Sequence, residues 1–274
     1  MNNYEKLEGM VAATFTPLDE NGDVNLSVID KYADWIASTP IKGVFVCGTT
    51  GEFSSLTIDE RKLILEKWLV SARKRFKVIA HVGSNCQRSA MELARHAAQV
   101  GADAIASIAP SFFKPGTVDE LVDFFAPICH SAAGLPFYYY NMPSITGVNL
   151  PVDKFLVEGK KKIPNLVGTK FTHNNLMEMG VCIELEQHRF EVLHGYDEIL
   201  ISGLAMGAVA GVGSTYNYIP NVYQAIFDSM KMNDLETARH NQIKSIRTVE
   251  VIIKYGGGVR GGKAIMKLIG IDCG

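Results

Sequence analysis

The chain has 274 residues, 47% apolar and 20% charged, a balance that excludes intrinsic disorder and supplies enough apolar side chains for a sizeable core. Its 27 basic and 29 acidic side chains leave a net charge of −2, which gives no electrostatic reason to expect a nucleic acid or an anionic membrane as partner. Length alone allows either two domains at ~150 residues each or one α/β barrel of ~250.

The N-terminus reads Met-Asn-Asn-Tyr-Glu-Lys, without a charged-then-apolar signal pattern. Cys47, Cys86, Cys129, Cys182 and Cys273 are widely spaced, odd in number and free of CxxC, which argues against a disulfide framework or zinc site. A cytoplasmic protein is expected. Short apolar runs then alternate with longer amphipathic ones. The eight short runs, at 10–15, 43–46, 78–82, 104–108, 137–140, 166–171, 192–194 and 208–212, read as strands. They lack period-2 alternation, as parallel strands covered on both faces do.

Helical patterns fill the intervals. Leu65, Trp68, Leu69 and Ala72 follow i, i+3, i+4, i+7 spacing, as do Ala90, Leu93, Ala94 and Ala97. Thr57 with Glu60, and Thr117 with Glu120, read as capping boxes. Gly101 and Gly207 each close a helix and begin a Gly-Ala-x-Ala phrase, an internal echo of repeated helix-to-strand joints. The uncharged stretch 199–212 is short for a membrane span and contains three glycines, so it reads as buried core. After Pro220 the pattern is helical only, over roughly 222–232, 235–254 and 263–268. Eight β/α units favour a closed (β/α)8 TIM barrel, about 1–220, with a C-terminal helical extension, about 221–274, in one domain.

In such a barrel, function sits at the carboxyl ends of the strands and in the loops that follow. Those positions hold Gly48-Thr49-Thr50-Gly51-Glu52, Tyr140-Asn141, Lys170-Phe171-Thr172, Gly195-Tyr196-Asp197-Glu198 and Gly213-Ser214-Thr215. Lys170 is the most informative. A strand-end lysine among apolar walls has its pKa lowered and is a nucleophile towards carbonyls; the competing reading is a side chain snorkelling to solvent. The glycine loop offers N–H groups and two hydroxyls to an anion such as a carboxylate, or else forms a tight turn. It matches neither GxGxxG nor a P-loop. Tyr140 is either core packing or a general acid/base. His81 and His194 end strands three and seven and could face the barrel mouth, but no HxH or HExxH accompanies them, so packing or a supporting role is the preferred reading. Cys47 reads as core. Asp197 and Glu198 could hold sugar hydroxyls or cap a helix.

Together these phrases, with Tyr140-Asn-Met-Pro-Ser-Ile-Thr-Gly147 and Gly168-Thr-Lys-Phe-Thr172, resemble the pyruvate-dependent class I aldolases of the N-acetylneuraminate lyase and dihydrodipicolinate synthase family. The resemblance runs from Met10 to about Cys273, and it implies a barrel with extra C-terminal helices, assembled as a homotetramer. It also implies that Lys170 forms the Schiff base, that Tyr140 is the catalytic tyrosine, and that Thr49 and Thr50 hold the pyruvate carboxylate. Family members continue past Cys273-Gly274 with a short Pro- and Arg-containing tail, so a truncated C-terminus is an open reading.

Two departures bear on the branch. Where the synthases carry an arginine for a second carboxylate, this chain has Ile145, and the loop that carries their second tyrosine has Phe112 and Phe113. By contrast, Thr172, Gly195, Asp197, Glu198, Gly213 and Ser214 match positions that bind the sugar tail in the sialic acid lyase branch. The implied reaction is reversible cleavage of the sugar acid to pyruvate and N-acetylmannosamine, with the imine as electron sink and no metal or organic cofactor. The alternatives are a 2-keto-3-deoxy-sugar-acid lyase, the synthase itself, a metal-dependent lyase using His81 and His194, and a non-catalytic sensor of sialic acid or pyruvate.

Overall fold

The computed structural model describes residues 4–132 and 134–274. Met1–Asn3, the start of the stretch scanned for a signal pattern, lie outside the described residues. In chain order the elements are β1 Gly9–Ala13, α1 Val28–Ala37, β2 Gly43–Val46, α2 Ile58–Ala72, β3 Lys77–His81, α3 Gln87–Val100, β4 Ala104–Ile108, α4 Val118–Ser131, β5 Phe137–Asn141, α5 Pro143–Thr146, α6 Val152–Lys162, β6 Leu166–Phe171, α7 Leu176–Glu184, β7 Glu191–His194, α8 Leu200–Ala205, β8 Ala210–Gly213, α9 Pro220–Lys231, α10 Leu235–Lys254 and α11 Gly258–Leu268. All strands pair in parallel in sequence order, and β8 closes on β1. This is a (β/α)8 TIM barrel followed by further helices.

Each predicted strand forms, with ends displaced by up to two residues. The displacements have causes. Glu191 starts β7 although it is charged, because its carboxylate accepts hydrogen bonds from the Leu7 N–H (2.9 Å) and the Tyr138 hydroxyl (3.0 Å). Ala208 and Val209 fall in the turn before β8, while Gly213 joins the strand. The helices follow their patterns. Ala90, Leu93, Ala94 and Ala97 are buried on α3, and Gly101 caps it in the left-handed region at φ 83°. Thr57 and Glu60 form the full capping box. Thr117 makes only half of one, since Glu120 turns its carboxylate to the Gly116 N–H instead.

α9 follows β8 and packs beside α8, so it occupies the place of the eighth barrel helix and leaves α10 and α11 beyond it. α11 begins five residues earlier than the pattern 263–268 indicates. Two interior glycines, normally unfavourable by ~1 kcal/mol each, hid it. They are there for contact: a β-carbon on Gly261 would lie 2.8 Å from the Ile252 backbone, and one on Gly262 would collide with the Phe15 ring.

Two apolar cores result. One lies between sheet and helices, built around Trp68, Phe125, Phe137 and Phe155. The other fills the barrel with Leu7, Val11, Phe45, Ile79, Tyr138, Leu193 and their neighbours. No helix among the described residues is long and apolar enough to cross a membrane. Gly168 lets β6 and β7 approach, since a β-carbon there would sit 2.9 Å from the Glu191 nitrogen and 2.8 Å from its carbonyl carbon. Gly168→Ala is expected to lower the unfolding free energy by about 1–3 kcal/mol, the usual range for overpacking. A urea-unfolding midpoint equal to that of the parent chain would contradict this.

Candidate active site

Strand register decides which side chains meet at the carboxyl end of the barrel. Tyr140 on β5 pairs with Lys170 on β6, which pairs in turn with Leu193 on β7. Lys170 is only 4% exposed. Its Nζ lies 4.0 Å from the centre of the Tyr140 ring and 4.4 Å from that of Phe45. Among the described residues no carboxylate lies within ion-pair distance of it. The amine is therefore walled by aromatic faces, with no ion pair to occupy it. The snorkelling geometry is absent.

The Tyr140 hydroxyl lies 3.2 Å from Thr49 Oγ1 and 3.0 Å from Met142 Sδ. Phe45 and His81 pack their rings against Tyr140. Thr49 and Thr50 are half-buried in the loop after β2. Lys170, Tyr140 and Thr49 thus gather from three strand ends.

The glycines of that loop also have a packing role. Gly48 and Gly51 have ordinary φ values; a β-carbon on Gly48 would lie 2.7 Å from the Phe45 ring, and one on Gly51 3.1 Å from the Thr14 carbonyl. They let the loop pack down onto the barrel rim. The left-handed residues are Cys47 (φ 54°) and Glu52 (φ 58°), which flank it. Such backbone costs roughly 1–2 kcal/mol per non-glycine residue, so other contacts must hold it. Thr16 Oγ1 donates to the Gly51 carbonyl at 2.7 Å, and His81 Nδ1 donates to the Cys47 carbonyl at 2.8 Å.

A second polar wall comes from β6, β7 and β8. A β-carbon on Gly195 would overlap Thr172, and one on Gly213 would overlap the Asp197 carboxylate. These glycines make room for neighbouring side chains. Thr172 is buried, and its Oγ1 has no hydrogen-bond partner among the described residues. Asp197 is buried too; its Oδ2 accepts from the Thr215 N–H (2.8 Å) and hydroxyl (2.6 Å), while Oδ1 is unpartnered. Glu198 and Ser214 are half-buried in the adjoining loops.

Sequence reasoning missed what holds this wall. Gln242 Nε2 and Ser245 Oγ, both on α10, donate to the Asp197 carbonyl at 3.0 and 3.2 Å. Tyr223 on α9 bonds both Thr215 Oγ1 and Ser245 Oγ. These partners are distant in sequence and carry no motif.

The histidines separate. His81 joins the aromatic cluster at the mouth, held neutral because burial and the nearby Arg61 push its pKa well below the usual imidazole range. His194 instead points away from the mouth. Its ring packs against Gly203 of α8, and burial pushes its pKa down to about 4. Among the described residues no three His, Cys, Asp or Glu side chains gather at one point. Burial raises the Asp197 carboxyl to about 6, against the hydrogen bonds from Thr215 that lower it. An acid raised on folding adds stability below its unfolded pKa and loses it as pH rises through the folded value. The difference in unfolding free energy between the parent chain and Asp197→Asn is therefore expected to fall by on the order of 3 kcal/mol between about pH 4 and pH 7. A pH-independent difference would refute the assignment.

The model of the dihydrodipicolinate synthetase family matches residues 6–274. The chain is 43% identical over 274 residues to the N-acetylneuraminate lyase of Mus musculus, a match covering 98% of this chain and 86% of that one. The solved N-acetylneuraminate lyase of Proteus mirabilis superposes with a TM-score of 0.96 at 37% identity, covering 98% of this chain and 91% of that one. The sialic acid aldolase of Aliivibrio salmonicida gives 0.96 at 38% identity, covering 98% and 89%. In sequence over nearly its whole length, and in fold, this chain belongs to the dihydrodipicolinate synthetase family.

Proposed function

We propose that the chain is a class I aldolase that reversibly cleaves N-acetylneuraminate to N-acetylmannosamine and pyruvate. One observation carries the reading: a buried amine, without an ion pair among the described residues, lies across a strand pair from a tyrosine whose hydroxyl meets Thr49. Lys170 attacks the C2 ketone of the open-chain sugar acid and, with loss of water, forms an imine. Thr49 and Thr50 hold the adjoining carboxylate. Tyr140 takes up the proton of the C4 hydroxyl while its own phenolic proton passes to the adjoining carboxylate, as the C3–C4 bond breaks. The bonding pair moves into the imine, giving an enamine, and the aldehyde leaves. Protonation at C3 and addition of water release pyruvate and restore the amine. The imine serves as the electron sink.

The second wall supplies Thr172, Gly195, Asp197, Glu198, Gly213 and Ser214 for the sugar hydroxyls. Unpartnered Thr172 Oγ1 and Asp197 Oδ1 suit that role, because buried polar atoms gain most from a ligand that completes their hydrogen bonds. Ile145 is exposed on α5 and offers no cation to a second carboxylate, which favours a neutral polyol over a dicarboxylic partner. We further propose that the chain acts as one domain, barrel plus helical extension, within a cytoplasmic homotetramer.

Borohydride reduction with pyruvate, followed by peptide mass mapping, is expected to place the adduct on the Lys170 peptide alone. An adduct on another lysine, or none, sinks the scheme. Side-by-side turnover of N-acetylneuraminate, 2-keto-3-deoxy sugar acids and the synthase substrates decides the substrate. Tyr140→Phe is expected to keep adduct formation while cleavage falls by at least ~10²-fold, as general acid–base roles imply. Near-parental cleavage by that variant would reject the tyrosine's assigned part.

A further inference from the structure

The loop bearing Thr49 and Thr50 is gripped at both ends by side chains from elsewhere in the fold. At its start the His81 ring holds the carbonyl of left-handed Cys47. At its end stands left-handed Glu52, whose Oε1 lies 2.8 Å from Lys263 Nζ. Lys263 belongs to α11, more than two hundred residues away, and is buried. Burying an ammonium is costly unless a charge of opposite sign compensates it, and here the compensating carboxylate belongs to this loop.

The pair is not what docks α11. That helix has its own contacts, with Gly261 against Ile252, Gly262 against the Phe15 ring, and Met266 fully buried. Thr16, immediately after Phe15, fastens the Gly51 carbonyl. Helix, β1 end and loop thus form one packed unit, and the ion pair is its polar link to the residue that ends the Gly-Thr-Thr-Gly turn.

We propose that Lys263 is a positioning residue for the carboxylate cradle: through Glu52 it fixes the loop backbone so that Thr49, Thr50 and the neighbouring N–H groups converge on the carboxylate of the bound keto acid. This rests on the class I aldolase reading above. Lys263 itself touches no reacting atom. Its loss should weaken recognition of the carboxylate selectively and spare attack by Lys170 on a ketone that lacks one.

The test compares borohydride trapping at Lys170 with pyruvate and with pyruvamide, which keeps the ketone but replaces the carboxylate with a neutral amide. In Lys263→Met the half-saturating pyruvate concentration is expected to rise about tenfold, while that of pyruvamide changes by less than about twofold, the scale of small misplacements in a binding site. Lys263→Arg should recover most of the pyruvate preference. Equal shifts for both probes, or none, would overturn the proposal and leave Lys263 a structural residue. If Lys263→Met does not fold, Glu52→Gln, which removes the charge and keeps the shape, must show the same selective loss. Failure of the parent chain to trap pyruvate at Lys170 would instead overturn the aldolase reading, and this inference with it.

Discussion

The pairing of Tyr140 with Lys170 across β5 and β6 is the constraint on which the rest of the site depends. A parallel ladder sets neighbouring side chains at a fixed spacing, and a closed barrel removes the free edge at which such a ladder could slip. Amine and phenol are therefore neighbours by backbone geometry, before any loop is considered. Phe45 and His81 complete the wall from β2 and β3. What the loops add is selectivity. Thr49 approaches the phenol from one side, and Asp197 and Thr172 stand on the other.

The helices beyond the barrel belong to the same mechanical unit. α10 reaches the rim through Gln242 and Ser245, and α11 reaches it through Lys263. These polar side chains are buried, so each unmade bond would cost about 1–3 kcal/mol. Gln242 and Ser245 meet the Asp197 carbonyl, and Lys263 meets the Glu52 carboxylate, both in loops at the barrel rim. The extension is thus coupled to the rim by two hydrogen bonds from α10 and an ion pair from α11 as well as apolar packing, which limits how far the loops can shift without disturbing it.

Much of this was legible in the sequence. Eight doubly buried strands stand out as apolar runs bounded by polar or glycine-rich joints, and Lys170 is conspicuous as a charge at the end of one. Tyr140, Thr49 and Asp197 lie at strand ends, where a barrel places its chemistry. The rest depends on contacts with no local signature. Nothing near Glu191 announces that Leu7 and Tyr138 will satisfy it, and nothing near Lys263 announces Glu52. Both histidines end strands and could face the mouth; His81 does, whereas His194 turns to α8. Nothing near the glycines announces that Gly195 and Gly213 also yield space to Thr172 and Asp197.

The floor of the barrel carries a consequence for the order of events. Leu7 is buried in the barrel core, and its N–H and the Tyr138 hydroxyl close over Glu191 at the amino end of the strands. Among the described residues the barrel interior is a packed core and not a channel, so the site stands at its carboxyl end. In the scheme proposed above, reactants and products share the carboxyl-end opening, and the keto-acid half is the one bound to buried Lys170. In that scheme the aldehyde fragment departs first, because the keto acid stays tethered through its imine until water follows it in. Traffic through the site would then be sequential, since the covalent tether outlasts the aldehyde.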